Sequence, residues 1–227
     1  MKIAILGSGK TGAKVVELLK DTEHTVFNTS HPLTLVALKQ HDVLISFVAG
    51  EVLLEHFDLL LASGVPHVTG ATGITWPNNL NKLLIESSNK WMIASNFSLG
   101  MNLVKAMINC LGQAGHLFKE FHFKIHEIHH DQKLDAPSGT ALSWENWLGQ
   151  EQKVPISSER VGNIPGIHEV TLSTENEEIF LRHEAKDRKI FAEGAIWAAH
   201  QIVGDQTIKP GLHKFEDYAA GKILGST

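Results

Sequence analysis

An apolar run at residues 2–6 breaks into the glycine turn GSGKTG at residues 7–12 and resumes as a segment with Val15, Val16, Leu18 and Leu19 on one helical face. Apolar run, tight turn and amphipathic segment in that order leave few options: a buried strand feeds directly into a helix. The same alternation then repeats. Strands are predicted at residues 24–28, 42–50, 65–73 and 91–98, with helices at 33–40, 51–64 and 77–90 between them. Alternation of this kind builds parallel βαβ units. Past residue 100 the rhythm changes to a long helix at 101–115, an alternating strand at 118–130, a helix from about Thr140, a hairpin turning at 174–177 and a helix at 191–204. Antiparallel sheet is expected there, and the tail from Pro210 needs support from a domain already formed.

The spacing Gly7, Gly9, Gly12 is weak evidence by itself, but here it follows a strand, opens a helix and begins a βαβ unit. Such a turn lets a pyrophosphate approach the backbone at the positive end of a helix, which points to a dinucleotide cofactor. A triphosphate loop is the rival, since Gly9-Lys10-Thr11 resembles its end. Ala4 stands where its first glycine belongs, however, and the strand at 42–50 closes in Ala-Gly without an aspartate for magnesium. A turn without any ligand stays open as a third reading. The second strand ends in Phe27-Asn28-Thr29-Ser30-His31, where an acidic residue would bind the ribose hydroxyls of NAD. Asn28 carries no charge to repel a ribose phosphate, and Thr29, Ser30 and Lys10 can donate to one, so NADPH should be accepted alongside NADH.

The segment HHDQKLDAPSGT at 129–140 places two imidazoles, an ammonium and an anion-binding turn within a short span. His129 and His130 are adjacent, so in extended backbone they face opposite ways and take different tasks. Lys133 adds a cation, and Ser138, Gly139 and Thr140 precede a helix whose free N–H groups attract carboxylates or phosphates. The segment reads as a site for a small acid with a proton donor alongside. Two other readings remain: a capping turn with an exposed lysine, and a metal site built from His122, His126 and His130, which would share one strand face but lack a completing Cys or acidic pair.

Composition narrows the partners. A chain of 227 residues, 43% hydrophobic, buries a substantial core, and a net charge of −5 argues against a nucleic-acid binder. The single Cys110 cannot form an internal disulfide, and its apolar surroundings read as those of a buried small side chain, which fits a reducing cytoplasm. The N-terminal apolar run is too short for a signal peptide or a membrane span, and no later run is long enough to cross a bilayer.

Taken with the glycine turn, HHDQKLDAPSGTA closely resembles the signature of the dihydrodipicolinate reductase family. Along the chain VTGATG at 68–73, ASNFSLGMNL at 94–103, FAEGAIWAAH at 191–200 and KPGLHKFEDY at 209–218 match the family in order. The resemblance implies an α/β fold with a Rossmann-like parallel-sheet domain at 1–97 and 205–227 that binds NADPH or NADH. A smaller α+β domain at 98–204, with a mixed or antiparallel sheet, would bind a cyclic dicarboxylate and build a homotetramer. Carried over residue by residue, His129 is the acid catalyst, Lys133 assists it and holds a carboxylate, His130 contacts substrate, and Ser138, Gly139 and Thr140 hold the second carboxylate. The cofactor would lie along Gly7, Ser8, Gly9, Lys10, Thr11 and Gly12, then Asn28, Gly70, Ala71 and Thr72, and finally Ala94, Ser95, Asn96 and Phe97. The implied activity is hydride transfer to 4-hydroxy-tetrahydrodipicolinate in lysine and diaminopimelate synthesis. A non-catalytic nucleotide-binding protein is the alternative from another class, but sensing a cofactor needs no proton donor beside an acid site.

Overall fold

Central strands of a parallel sheet are covered on both faces and so read as unbroken apolar runs. That pattern holds in β1 (Ile3–Leu6), which leads through the glycine turn into α1 (Lys10–Leu18). There follow β2 (His24–Phe27), α2 (Leu35–Leu38), β3 (Val43–Ser46), α3 (Gly50–Glu55), α4 (Phe57–Ser63), β4 (His67–Thr69), α5 (Leu80–Glu86) and β5 (Lys90–Ile93). The computed structural model describes residues 1–225. Its second half continues with α6 (Leu99–Ala114), β6 (His122–His129), α7 (Gly139–Leu148), β7 (Ile156–Arg160), β8 (Ile167–Ser173) and β9 (Glu178–Glu184), then α8 (Lys189–Gly204), β10 (Gly211–Lys214) and α9 (Phe215–Leu224).

Two compact units result: Met1–Leu99 with the chain from Arg188 onward, and Gly100–Asp187. The first holds a six-stranded, all-parallel sheet in the order β10-β5-β4-β3-β1-β2. One face carries Ile3, Ile5, Val43 and Ile45 against α1, α8 and α9, and the other buries Ala4, Leu6, Leu44 and Trp91 under the intervening helices. Strand order reverses between β1 and β3, and such a sheet binds its ligand at the carboxyl ends flanking that point. The second unit holds a mixed sheet, β7-β6-β8-β9, in which β6 and β7 are parallel and the other pairs antiparallel.

Three expectations need correction. The helix expected at 51–64 is two helices, because His56 takes φ −96° and ψ 0° while its Nδ1 bonds the Val52 carbonyl, 2.8 Å away, and interrupts the ladder. Cys110 is exposed, since the buried row of α6 runs through Met101, Val104 and Ile108 and Cys110 falls on the opposite side. Finally, α8 belongs to the first unit, so that unit resumes at Arg188 instead of 205. Its Ala192, Ala195, Ala198 and Ala199 are fully buried with the sheet residues; helical period alone does not say which sheet such a face serves. Among the described residues no helix is long and apolar enough to cross a membrane.

His67 on β4 is buried, with Nε2 on Ser46 Oγ (2.8 Å) and its ring edge-on to Trp91. Burial pushes its pKa from the usual 6.5 to about 3. The unfolded chain therefore takes up a proton below about 6.5 that the folded one refuses until about 3. The stability carried by neutral His67 is complete above that window and is lost as pH falls through it. Urea unfolding should show a loss of about 1.4 kcal/mol per pH unit from this group, and His67→Phe should flatten the acid-side slope by that amount. An unchanged slope in the variant would contradict the assignment.

Candidate active site

At the carboxyl ends of the parallel strands, the glycine turn has the geometry a pyrophosphate requires. Gly7 takes φ +101°, and a Cβ there would lie 2.7 Å from the Phe47 carbonyl oxygen, so β3 approaches too closely for any side chain. A Cβ on Gly12 would collide with the Gly7 carbonyl, whereas at Gly9 it would meet nothing within 4 Å. Gly7 and Gly12 thus shape the turn, and Gly9 opens it. Gly9 also caps α1 without a side-chain hydrogen bond, and Lys10, Thr11, Gly12 and Ala13 bring no carboxylate to the first turn. The α1 start offers N–H groups and a dipole to an anion, with Ser8 and Lys10 exposed beside it.

Farther along the same edge, a cavity of about 300 Å³ is lined by Ala71, Thr72, Trp76, Ser95, Lys214 and Glu216, among others. Its floor is braced by a buried chain in which Ser46 Oγ bonds both His67 and Thr69, and Thr69 Oγ1 accepts the Ala71 N–H. Gly70 is packed against the Phe47 ring. Ala94 is buried, Asn96 Oδ1 accepts the Ser98 N–H at 2.8 Å, and the Phe97 ring lies in the core against Phe47 and Phe215. Ala71, Thr72, Ala94 and Ser95 reach the cavity, while the Phe97 side chain does not. After β2, Asn28 Oδ1 accepts the N–H groups of Ser30 and His31 at 2.9 Å each. These features fit a dinucleotide.

In the second unit the chemistry lies on one face of the mixed sheet. Phe123, Ile125, Glu127 and His129 alternate along the buried side of β6. Phe123 and Ile125 pack with Trp144 and Leu172 in the core, and Glu127 and His129 prolong the same row. Register places His168 of β8 and Ser158 of β7 opposite Glu127, and Arg160 opposite His129. Glu127 is fully buried. Its Oε2 contacts His129 Nδ1, and its Oε1 receives Arg160 Nη2 at 3.0 Å and the Ser138 N–H at 3.3 Å. Burial pushes the Glu127 carboxyl up, but hydrogen bonds from Ser158 and Arg160 and the charges of His129 and Arg160 outweigh it, so the group stays below its usual range. Burial likewise lowers His129 against the pull of Glu127, and lowers His168 to about 3.

Ser138 caps α7. Its Oγ accepts the Ala141 N–H and contacts His168 Nε2, both at 3.1 Å, so this hydroxyl is committed within the protein. Lys133 Nζ donates to both oxygens of Asp135 (2.7 and 2.9 Å), which holds that carboxyl below its usual range. The cation expected to bind a carboxylate is therefore already paired with one. Gly139 is exposed and Thr140 half-buried at the start of α7, and His130 lies half-buried just past the end of β6.

Glu127, Arg160 and His168 are absent from the expectations drawn from sequence. Glu127 was within reach: Phe123 and Ile125 mark the odd-numbered face of β6 as inward, which makes Glu127 and His129 its polar end. The histidines His122 and His126 lie on the other face, and His126 bonds Ser157 and Glu159 there. Arg160 and His168 become neighbours of β6 only through strand pairing, which no local pattern announces. Glu127, His129 and His168 each turn one potential ligand atom to within 4.8 Å of the others. The Arg160 guanidinium on the same carboxylate puts a fixed positive charge against any incoming cation.

Comparison with known proteins agrees with this geometry. Residues 1–97 match the family model for the N-terminus of dihydrodipicolinate reductase, and residues 100–218 match that for its C-terminus. A 4-hydroxy-tetrahydrodipicolinate reductase of Christiangramia forsetii is 31% identical over 222 residues, spanning 89% of this chain and 92% of the relative. One from Thermosipho africanus is 31% identical over 220 residues, spanning 96% and 97%. In fold, the chain is similar to a dipicolinate-bound dihydrodipicolinate reductase from Paenisporosarcina sp. TG-14, with a TM-score of 0.77, 24% identity and coverage of 96% and 98%. The two half-chain matches and the near full-length relatives together show that the chain belongs to the dihydrodipicolinate reductase family.

Proposed function

We propose that the chain reduces 4-hydroxy-tetrahydrodipicolinate to tetrahydrodipicolinate with NADPH or NADH, as a step of diaminopimelate and lysine synthesis in the cytoplasm. The balance is substrate plus NAD(P)H plus a proton, giving product, water and NAD(P)⁺. Bound along the glycine turn and the cavity at Thr72 and Ser95, the dihydronicotinamide supplies the hydride. The protein's own part is to hold two carboxylates and to deliver a proton to electron density left on the ring. The observation that carries this reading is the Lys133 ammonium, which already holds the carboxylate of Asp135, a few residues from the buried His129 and from the start of α7 at Gly139. A substrate carboxylate fits the same donors as a charge-assisted contact. His129 supplies the proton, Thr140 adds a donor to the second carboxylate, and His130 contacts the ring. Both helices of the second unit pack on one face of its sheet, and Phe180 on the other face is 58% exposed, which supports burial of that face in a homotetramer.

The direct test follows NAD(P)H absorbance with the condensation product of pyruvate and aspartate semialdehyde as substrate, against other keto acids. Turnover confined to the former is expected; turnover only with the latter would overturn the proposal. His129→Gln should lower kcat by about two to four orders of magnitude with little change in cofactor affinity. Lys133→Ala should reduce kcat/KM by about two to three orders of magnitude, and a near-normal value would remove Lys133 from the site. Asn28→Asp preserves the turn that accepts Ser30 and His31 but adds a charge, so it should weaken NADPH and shift preference toward NADH. A wild type that strongly prefers NADH would show that another residue reads the ribose.

A further inference from the structure

We propose that Glu127 is a positioning residue for His129, holding the Nδ1–H of the imidazole so that Nε2 is the atom that gains and gives the transferable proton. The inference rests on the reading of His129 as proton donor and adds to it the group that sets its tautomer and orientation.

The argument starts from strand geometry. Residues two apart on β6 share a face, so the Glu127 carboxylate reaches His129 without a bend in the backbone. One oxygen contacts Nδ1, while the other is held by Arg160 and the Ser138 N–H, so the carboxylate cannot swing away. A carboxylate that keeps its charge accepts hydrogen bonds and donates none. Nδ1 must then be the protonated nitrogen of the neutral ring, and Nε2 carries the lone pair. A Cβ on Gly166 would lie 3.0 Å from Nε2, so the absence of a side chain there leaves that nitrogen room.

The groups facing the imidazole divide by sign. Arg160 from β7 and Lys133 from the following loop disfavour its protonated form, and His168 from β8 stands edge-on with ring centres 4.9 Å apart. His183 lies behind His168 on β9. Glu127 is what favours the protonated ring against these groups and against burial. Serine hydrolases use a buried carboxylate on the far nitrogen of a catalytic histidine in the same way, and its amide replacement costs about four orders of magnitude by fixing the wrong tautomer.

Glu127→Gln keeps the shape and removes the charge. The expected results are a fall in kcat of about ten- to a thousand-fold, a substrate KM within about threefold of wild type, and the alkaline limb of the kcat/KM profile, where the proton donor is lost, moved to lower pH. Glu127→Asp, which keeps the charge, should restore part of the profile. Nitrogen-15 NMR of the histidine rings without substrate supplies a readout independent of the reaction. Wild-type His129 should show a single Nδ1–H tautomer, and Glu127→Gln a mixture or the opposite one. Wild-type His129 already present as Nε2–H or as a mixture would overturn the proposal, even if no variant folds. So would a Glu127→Gln enzyme that loses activity with tautomer and pH profile unchanged, since Glu127 would then be merely structural. A wild type without reductase activity would refute the proposed function while leaving the tautomer measurement to decide the role of Glu127.

Discussion

A carboxylate with no exposure to water must be compensated completely, and the second unit is arranged around that demand at Glu127. Its four partners come from three elements: His129 along the same strand, Arg160 and Ser158 from the parallel neighbour β7, and the Ser138 N–H from the cap of α7. No two adjacent segments could supply that set. The mixed pairing of the sheet, with β7 parallel to β6 and β8 antiparallel to it, brings Arg160 and His168 to flank the same row. Loss of the Arg160 guanidinium would leave a buried charge unmatched, at a cost of about 3–5 kcal/mol. Stability and chemistry therefore rest on one set of contacts.

The first unit answers to a different constraint, close backbone approach. Gly7 and Gly12 are required because the backbone just past β3 and the turn itself leave no room for a Cβ, whereas Gly9 meets no atom and leaves the turn open. The tail completes this edge. β10 pairs with β5, and Lys214 and Glu216 then line the cavity beside Thr72 and Ser95. The buried link from His67 through Ser46 and Thr69 to the Ala71 N–H ties that loop to the core of the sheet.

Much of this was legible in the sequence where the signal is local. The strand–glycine–helix order, the alternation that followed it and the capped helix at Ser138 depend on periodicity and turn chemistry within a dozen residues, and each appears in the structure. Long-range pairing was not legible. Strand β7, with the sequence ISSER, has no apolar alternation strong enough to announce a strand, so nothing local places Arg160 beside β6. The alanines of α8 gave a helix but not its sheet. Within β6 the pattern itself carries the information: His122 and His126 lie on the solvent-side row, while the apolar Phe123 and Ile125 mark the row that turns inward to Glu127 and His129. Lys133 shows a further limit, since a sequence shows the cation but not the Asp135 carboxylate folded onto it.

The central claim is that a carboxylate-binding cradle and an oriented imidazole form one site on the second unit. A crystal structure of the whole chain with pyridine-2,6-dicarboxylate and oxidised cofactor tests it most directly. The account predicts one ligand carboxylate on Lys133 Nζ and the second at Gly139 and Thr140, Asp135 turned away from Lys133, and the ring against His129 Nε2. A dicarboxylate bound elsewhere while Lys133 still holds Asp135 would contradict it.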